Sequence, residues 1–333
     1  MGPVKSFFVR AAVAPFALLT ALGCSSNNTN NGGGTDAGAD QAVTDTPGTD
    51  TPAADTPATD APATDTPATD VPRTDGGTPS GGTAVLSYLF DAQRTGANTR
   101  ETRLTPAALR GGGFGRDMGF NAQVTGEVYS QPLYMPGLMV GGAAHDVLFV
   151  ATQANNVYAL DAATGAELWN INLGATVSRT QQSCGNINTI GVTSTGVIDP
   201  ATRTLYVVNF TSDGGIVFKL NALDVTTGMQ RSGYPVAIRP PMAGSSSFDA
   251  RTTGQRGALS FRNGTVYVPF GGLYGDCGIY HGWVVGIDVA TPSRQTSFAT
   301  PGRGSGIWAP AGISMDASGR IFAATGNSTP LGG

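Results

Sequence analysis

Four short stretches share one pattern of apolar positions: VLFVAT (Val147 to Thr152), TLYVVN (Thr204 to Asn209), TVYVPF (Thr265 to Phe270) and RIFAAT (Arg320 to Thr325). They start 57, 61 and 55 residues apart. Each reads as a short strand, and after the first three a hydrophobic stretch ends in ALDAATG (Ala159 to Gly165), ALDVTTG (Ala222 to Gly228) or GIDVATP (Gly286 to Pro292). A fixed period with turn chemistry in register predicts a repeat architecture.

Each repeat reads as four strands. In the third, GALSF (Gly257 to Phe261) leads through Arg262-Asn263-Gly264 into TVYVPF, and Asn-Gly makes a tight hairpin because both residues tolerate positive φ. Asp199 to Arg203 and Asp316 to Gly319 are the corresponding turns in the second and fourth repeats. A loop leads to a third strand such as NNVYALD, and a turn built on Asp and Gly hands over to a fourth such as ELWNINL (Glu167 to Leu173). Four-stranded antiparallel sheets at this spacing bury their faces only against neighbouring copies, and radial stacking gives an all-β propeller.

The segment VYALDAATGAELWNINLG (Val157 to Gly174) resembles the repeat of pyrroloquinoline-quinone (PQQ)-type propellers, whose A-x-D-x-x-T-G-x-x-x-W pattern is met by Ala159, Asp161, Thr164, Gly165 and Trp169. In that family the Trp packs on the next blade and the Asp and Gly shape the turn. The second copy keeps Ala222, Asp224, Thr227 and Gly228 without a Trp; the third keeps Asp288 and has Pro292 in place of Gly. Arg94 to Pro106, Tyr129 to Tyr134, Asp276 to Asp288 and Gly306 to Asn327 are also similar to bacterial quinoprotein-like repeat proteins. Such propellers have seven or eight blades. Residues 83–333 supply three full blades and two strands of a fourth, so the expectation is a truncated fragment or a four-bladed variant closed by AVLSYLF (Ala84 to Phe90).

The N-terminus carries a different pattern. Lys5 and Arg10 precede an apolar run from Ala11 to Leu22 that fits a secretory signal and is too short to span a bilayer. The following Ala21-Leu22-Gly23-Cys24 resembles a bacterial lipobox, which implies lipidation at Cys24 and, with Ser25 and Ser26, sorting to the outer membrane. MGPVKS also fits a myristoylation pattern, which removal of the signal excludes. Residues 1–24 are therefore read as a lipoprotein signal, residues 25–82 as a linker and residues 83–333 as the propeller. From Asp45 to Asp75 an Asp recurs every fifth residue, and so does a Pro from Pro47 to Pro72. Nothing there offsets the entropy of ordering, so a disordered stalk of polyproline character is expected, reaching about 90 Å when extended.

Residues 25–82 hold nine Asp and a single Arg73, whereas residues 83–333 hold 14 acids against 16 bases, a net +2. That is too little positive charge for nucleic-acid binding. Cys184 and Cys277 fall in loops of one propeller face, and a bridge between them is expected in an oxidising compartment, stabilising by roughly 4 to 5 kcal/mol, the alternative being two separate thiols. With His145 and His281 they lack zinc-site spacing. The family resemblance implies a Trp floor and a cationic partner for a quinone, for which Trp308 and Arg303 are the candidates, against a plain blade-interface role for Trp308. No vicinal Cys pair and no calcium cluster of acid and amide oxygens accompanies them. Asp161, Asp224 and Asp288 recur with the repeat and suit a turn-stabilising hydrogen bond better than catalysis.

The expected function is an envelope lipoprotein whose non-catalytic propeller serves as a protein-interaction or scaffold module, without a cofactor. The alternatives are a PQQ- and calcium-dependent sugar or alcohol dehydrogenase and a module binding glycans or small ligands.

Overall fold

The computed structural model describes residues 82–111, 115, 117–182, 185–273, 278–326 and 328. The signal, the linker, and Cys24, Cys184 and Cys277 lie outside the described residues. The sheets follow the predicted repeats. The first joins β1 (Leu133–Val140), β2 (Ala143–Ala151), β3 (Asn156–Asp161) and β4 (Glu167–Asn172) in sequence order. The second joins β5 (Val197–Asp199), β6 (Thr204–Thr211), β7 (Val217–Asp224) and β8 (Val236–Ala237) in the same way. In the third, β9 (Thr253–Gly254) pairs with the end of β11 beside the main path β10 (Ser260–Arg262), β11 (Thr265–Gly272), β12 (Trp283–Asp288), β13 (Gln295–Ala299). A two-stranded sheet of β14 (Ile313–Met315) and β15 (Ile321–Ala323) begins the fourth. These are blades of a partial β-propeller, and the described sheets do not close into a ring.

Why the second strands read as unbroken apolar runs is clear from their packing. All eight residues of β6 are buried because its blade lies between two others. Side chains alternate between faces: Leu205 and Val207 pack with Val147, Phe149 and Trp169 of the first blade, while Tyr206, Val208 and Phe210 pack with Val266, Val268 and Phe270 of the third. Aromatic rings fill the second boundary, with Phe210 stacked on Phe218 at 4.2 Å and Phe270 edge-on to Phe218 at 5.2 Å. The opposite face of the first blade, with Val150, Tyr158 and Leu160, is covered by Ala122, Val124 and Val128. Asn263 (φ 48°) and Gly264 (φ 72°) both take positive φ in the β10–β11 hairpin, as that turn type requires.

The first strands of the blades meet along an inner edge. Leu133, Val197, Ser260 and Ser314 hold the same register position, opposite Phe149, Tyr206, Tyr267 and Phe322. Leu133, Val197 and Ser260 are buried. Neighbouring first strands are tied directly: the Gln131 amide donates to Thr195 Oγ1, the Leu259 amide to the Thr195 carbonyl and the Ala258 amide to the Pro310 carbonyl.

Residues 84–90 do not form the closing strand expected as one alternative. The segment bends instead, and with Asp91 to Arg94 it crosses all four inner strands. Val85 bridges Tyr134, the Leu86 carbonyl accepts from the Ile198 amide, and the Ala92 carbonyl accepts from the Met315 amide. Arg94 completes the crossing, donating to the carbonyls of Tyr88 (2.9 Å), Leu259 (2.8 Å) and Ile313 (3.1 Å) and to Ser260 Oγ (2.6 Å). Burial lowers its pKa from 12.5 to about 10 against the raising effect of Asp91, so it stays charged at neutral pH. One side chain thus links the crossing segment to the third and fourth blades.

Candidate functional site

Three places gather polar or aromatic side chains: the repeated Asp turns, the surroundings of Trp308, and the rim of the inner edge. In the first turn Asp161 Oδ1 accepts from the amides of Ala163 and Thr164 and from the Thr164 hydroxyl, while His145 Nδ1 lies 2.8 Å from Oδ2. These partners, His145 foremost, hold its carboxyl below the usual range. In the second, burial pushes the Asp224 carboxyl up, but hydrogen bonds from Thr226 and Thr227 and the charge of Arg231 outweigh it, and the net shift is down. Asp288 accepts from the amides of Ala290 and Thr291. All three carboxylates are committed to their own turns.

Those turns are also docking points between blades. The Trp169 indole donates to the Val225 carbonyl at 3.0 Å, and a Cβ on Gly228 would come within 2.7 Å of its ring. The second blade has no Trp at the motif position; there Tyr234 donates its hydroxyl to the Val289 carbonyl at 3.2 Å. Val225 and Val289 each follow the turn Asp, so Tyr234 makes the contact that Trp169 makes one blade earlier. Motif reading missed it, because Tyr234 lies ten residues beyond Asp224 whereas Trp169 lies eight beyond Asp161. Gly165 instead packs against the backbone of Asn121 and Ala122, in keeping with the Asn121 amide donating to the Thr164 carbonyl.

Trp308 lies half-buried where the third blade meets the fourth. A Cβ on Gly271 or Gly306 would fall 3.1 Å or 2.8 Å from its indole, and the Tyr280 ring meets it edge-on at 5.9 Å. Its Nε1 is buried without a hydrogen-bond partner. Arg303 is exposed on the connection that precedes it. Among the described residues no group of three or more His, Cys, Asp or Glu comes together to hold a metal ion. His281 Nδ1 lies 2.9 Å from the Thr300 carbonyl, and His145 is spent on Asp161.

The third feature is the rim four residues before the shared register position, occupied by Tyr129, Thr193, Arg256 and Pro310. Arg256 reaches across it: Nη1 donates to the carbonyls of both Tyr129 and Thr193, each at 3.3 Å. Beside it opens a cavity of about 370 Å³ lined by Tyr129, Asn186, Ile187 and Arg256. The Ser194 hydroxyl next to Thr193 is buried with no partner.

Residues 122–329, from the cover of the first blade to beyond β15, match the family described as outer membrane protein assembly factor BamB. The chain belongs to this family. Among solved structures it is similar to the quinohemoprotein alcohol dehydrogenase ADHIIG of Pseudomonas putida HK5, at 18% identity and a TM-score of 0.47 over 74% of this chain and 35% of that one. It is also similar to a quinohemoprotein alcohol dehydrogenase from Comamonas testosteroni (16%, TM-score 0.36, 72% of this chain and 45% of that one). BamB from Moraxella catarrhalis gives 16% identity and a TM-score of 0.30, over 61% of this chain and 62% of that one. The chain therefore spans about a third of the length of the first of these proteins and under two thirds of the others. A comparison with curated proteins gives no match.

Proposed function

We propose that this member of the BamB-like family is an envelope lipoprotein, anchored through Cys24 and held off the membrane by the Asp/Pro linker, whose propeller binds other envelope proteins without catalysis. The observation that carries this reading is the filling of the inner edge by the chain itself: residues 85–94 hydrogen-bond all four first strands, and the Arg94 guanidinium is spent on four protein acceptors. With the exposed ends of the first strands engaged by this segment, the rim and loops are the surface offered to partners. The described residues fit a quinone–calcium centre poorly, since Trp308 is pressed by the backbone of Gly271 and Gly306 and no acid cluster accompanies it. Fold alone does not decide between the enzymes and the assembly factor that share it.

Two measurements test the reading. Full-length protein incubated with PQQ and Ca²⁺ is expected to gain no bound chromophore and to reduce no dye with alcohols or sugars; stoichiometric chromophore with turnover would make it a dehydrogenase. Crosslinking in intact envelopes is expected to capture discrete protein partners, with Cys24→Ser shifting the protein out of the membrane fraction. Capture of none, in a strain making the protein at its native level, would remove the interaction role.

A further inference from the structure

The rim of the inner edge has a property that the fold does not require. At the shared position the first, second and fourth blades carry Tyr129, Thr193 and Pro310, and the third carries a cation, Arg256. Its Nη1 is fixed by two backbone carbonyls, which sets the plane of the guanidinium. No acidic side chain among the described residues pairs with it, and no acceptor for Nε or Nη2 is found there. The remaining edge of a guanidinium presents two parallel N–H donors, the geometry that suits a carboxylate. Around it the cavity of about 370 Å³ offers a Tyr129 side chain that is 38% exposed, the apolar Ile187 and the amide of Asn186.

We infer that this cavity is a recognition site for the carboxylate side chain of an acidic peptide segment. The carboxylate engages the free edge of Arg256, and an apolar neighbour in the peptide packs on Tyr129 and Ile187. The inference rests on the interaction-module reading and adds the chemistry of the partner to it. A protein partner is favoured over a small anion because the cation is flanked by an aromatic and an aliphatic side chain, not by further cations. A phosphate site would gather several basic groups, and among the described residues of the lining Arg256 is the one basic side chain.

The test uses the full-length protein and two fluorescent peptides, acetyl-Ala-Leu-Asp-Leu-Ala-amide and its Asn counterpart, with binding read by polarisation. The Asp peptide is expected to bind at least tenfold more tightly than the Asn peptide. R256Q should abolish that difference, and R256K, which keeps the charge but loses the fork, should retain only part of it. Circular dichroism and the thermal midpoint of each variant show whether it is folded. If R256Q unfolds the protein, the folded R256K variant and the Tyr129→Ala variant decide: both must weaken the Asp peptide selectively. Equal affinity for the two peptides, or selectivity that survives in folded R256Q, overturns the assignment. If the parent protein shows no peptide selectivity and its envelope crosslinks persist unchanged in R256Q, the interaction module stands and only this site is removed.

Discussion

Replacing Arg94 by Met keeps the length of the side chain and removes its donors, so it isolates the link between residues 85–94 and the last two blades. Of the four acceptors, the Leu259 carbonyl and Ser260 Oγ belong to residues that are 0% and 3% exposed. The Ile313 carbonyl belongs to a residue lining a cavity of about 380 Å³, where water can take over. A hydrogen bond to a charged group contributes about 1.5–3 kcal/mol, so the two buried acceptors represent about 3–6 kcal/mol. Removing the cation also relieves the desolvation that lowers its pKa to about 10, which moves the expected loss toward the bottom of that range, about 3 kcal/mol. Urea unfolding of the full-length protein followed by tryptophan fluorescence would measure it. Arg94→Lys should fall between the two, because an ammonium cannot reach several acceptors in a plane. A Met variant within about 0.5 kcal/mol of the parent would refute the argument, being no more than an ordinary surface substitution costs.

Tyr234→Phe deletes only the hydrogen bond to the carbonyl after a turn Asp and should lower stability by about 1 kcal/mol in the same unfolding assay, whereas Trp169→Phe also leaves a void beside Phe149 and should cost more, about 2–3 kcal/mol; a Tyr234→Phe variant of unchanged stability would deny that it replaces the missing Trp. Gly228→Ala should cost more than Gly264→Ala, although φ is 71° and 72°, because only at Gly228 would the added Cβ press on an indole, at 2.7 Å. Equal losses would mean that Trp169 yields freely. The carboxyls of Asp161 and Asp224 sit below their ordinary value, so their stabilisation is complete above the unfolded value of about 3.9 and disappears as pH falls through the native values. The thermal midpoint should therefore hold from neutral pH to about 5 and drop below about 4, with Asp161→Asn flattening part of that drop; an unaltered acid limb would contradict the role given to this turn.

The blades were legible because their strands obey a local code. VLFVAT, TLYVVN, TVYVPF and RIFAAT recur with Asp- and Gly-based turns in register, and each became the second strand of a sheet. Burial on both faces of β6 explains why these stretches are solidly apolar. The path of residues 84–94 was not legible: it meets the blades through Val85, Leu86, Ala92 and Arg94 at no fixed spacing, so it has no period, and its AVLSYLF core imitates a strand. Tyr234 escaped notice because a hydroxyl reaches the Val289 carbonyl from a different offset than an indole does. Arg256 escaped because its meaning lies in three-dimensional equivalence with Tyr129 and Thr193, 127 and 63 residues away. Trp308 and Arg303 came from family resemblance, which names residue types but not what packs on them.

Residues 85–94 bind the inner strands of all four blades into one unit, and native-state hydrogen exchange is the sharpest probe of that support. Three amides report the contact directly, Tyr134 donating to Val85, Ile198 to Leu86 and Met315 to Ala92, and the Leu259 amide, donating to Thr195 while the Leu259 carbonyl accepts from Arg94, reports the third blade. We expect all four to exchange only through a common opening and to lose protection together in Arg94→Met. Rapid exchange at Met315 and Leu259 while Tyr134 and Ile198 stay protected, or protection untouched by the substitution, would show that the blades do not share this inner support.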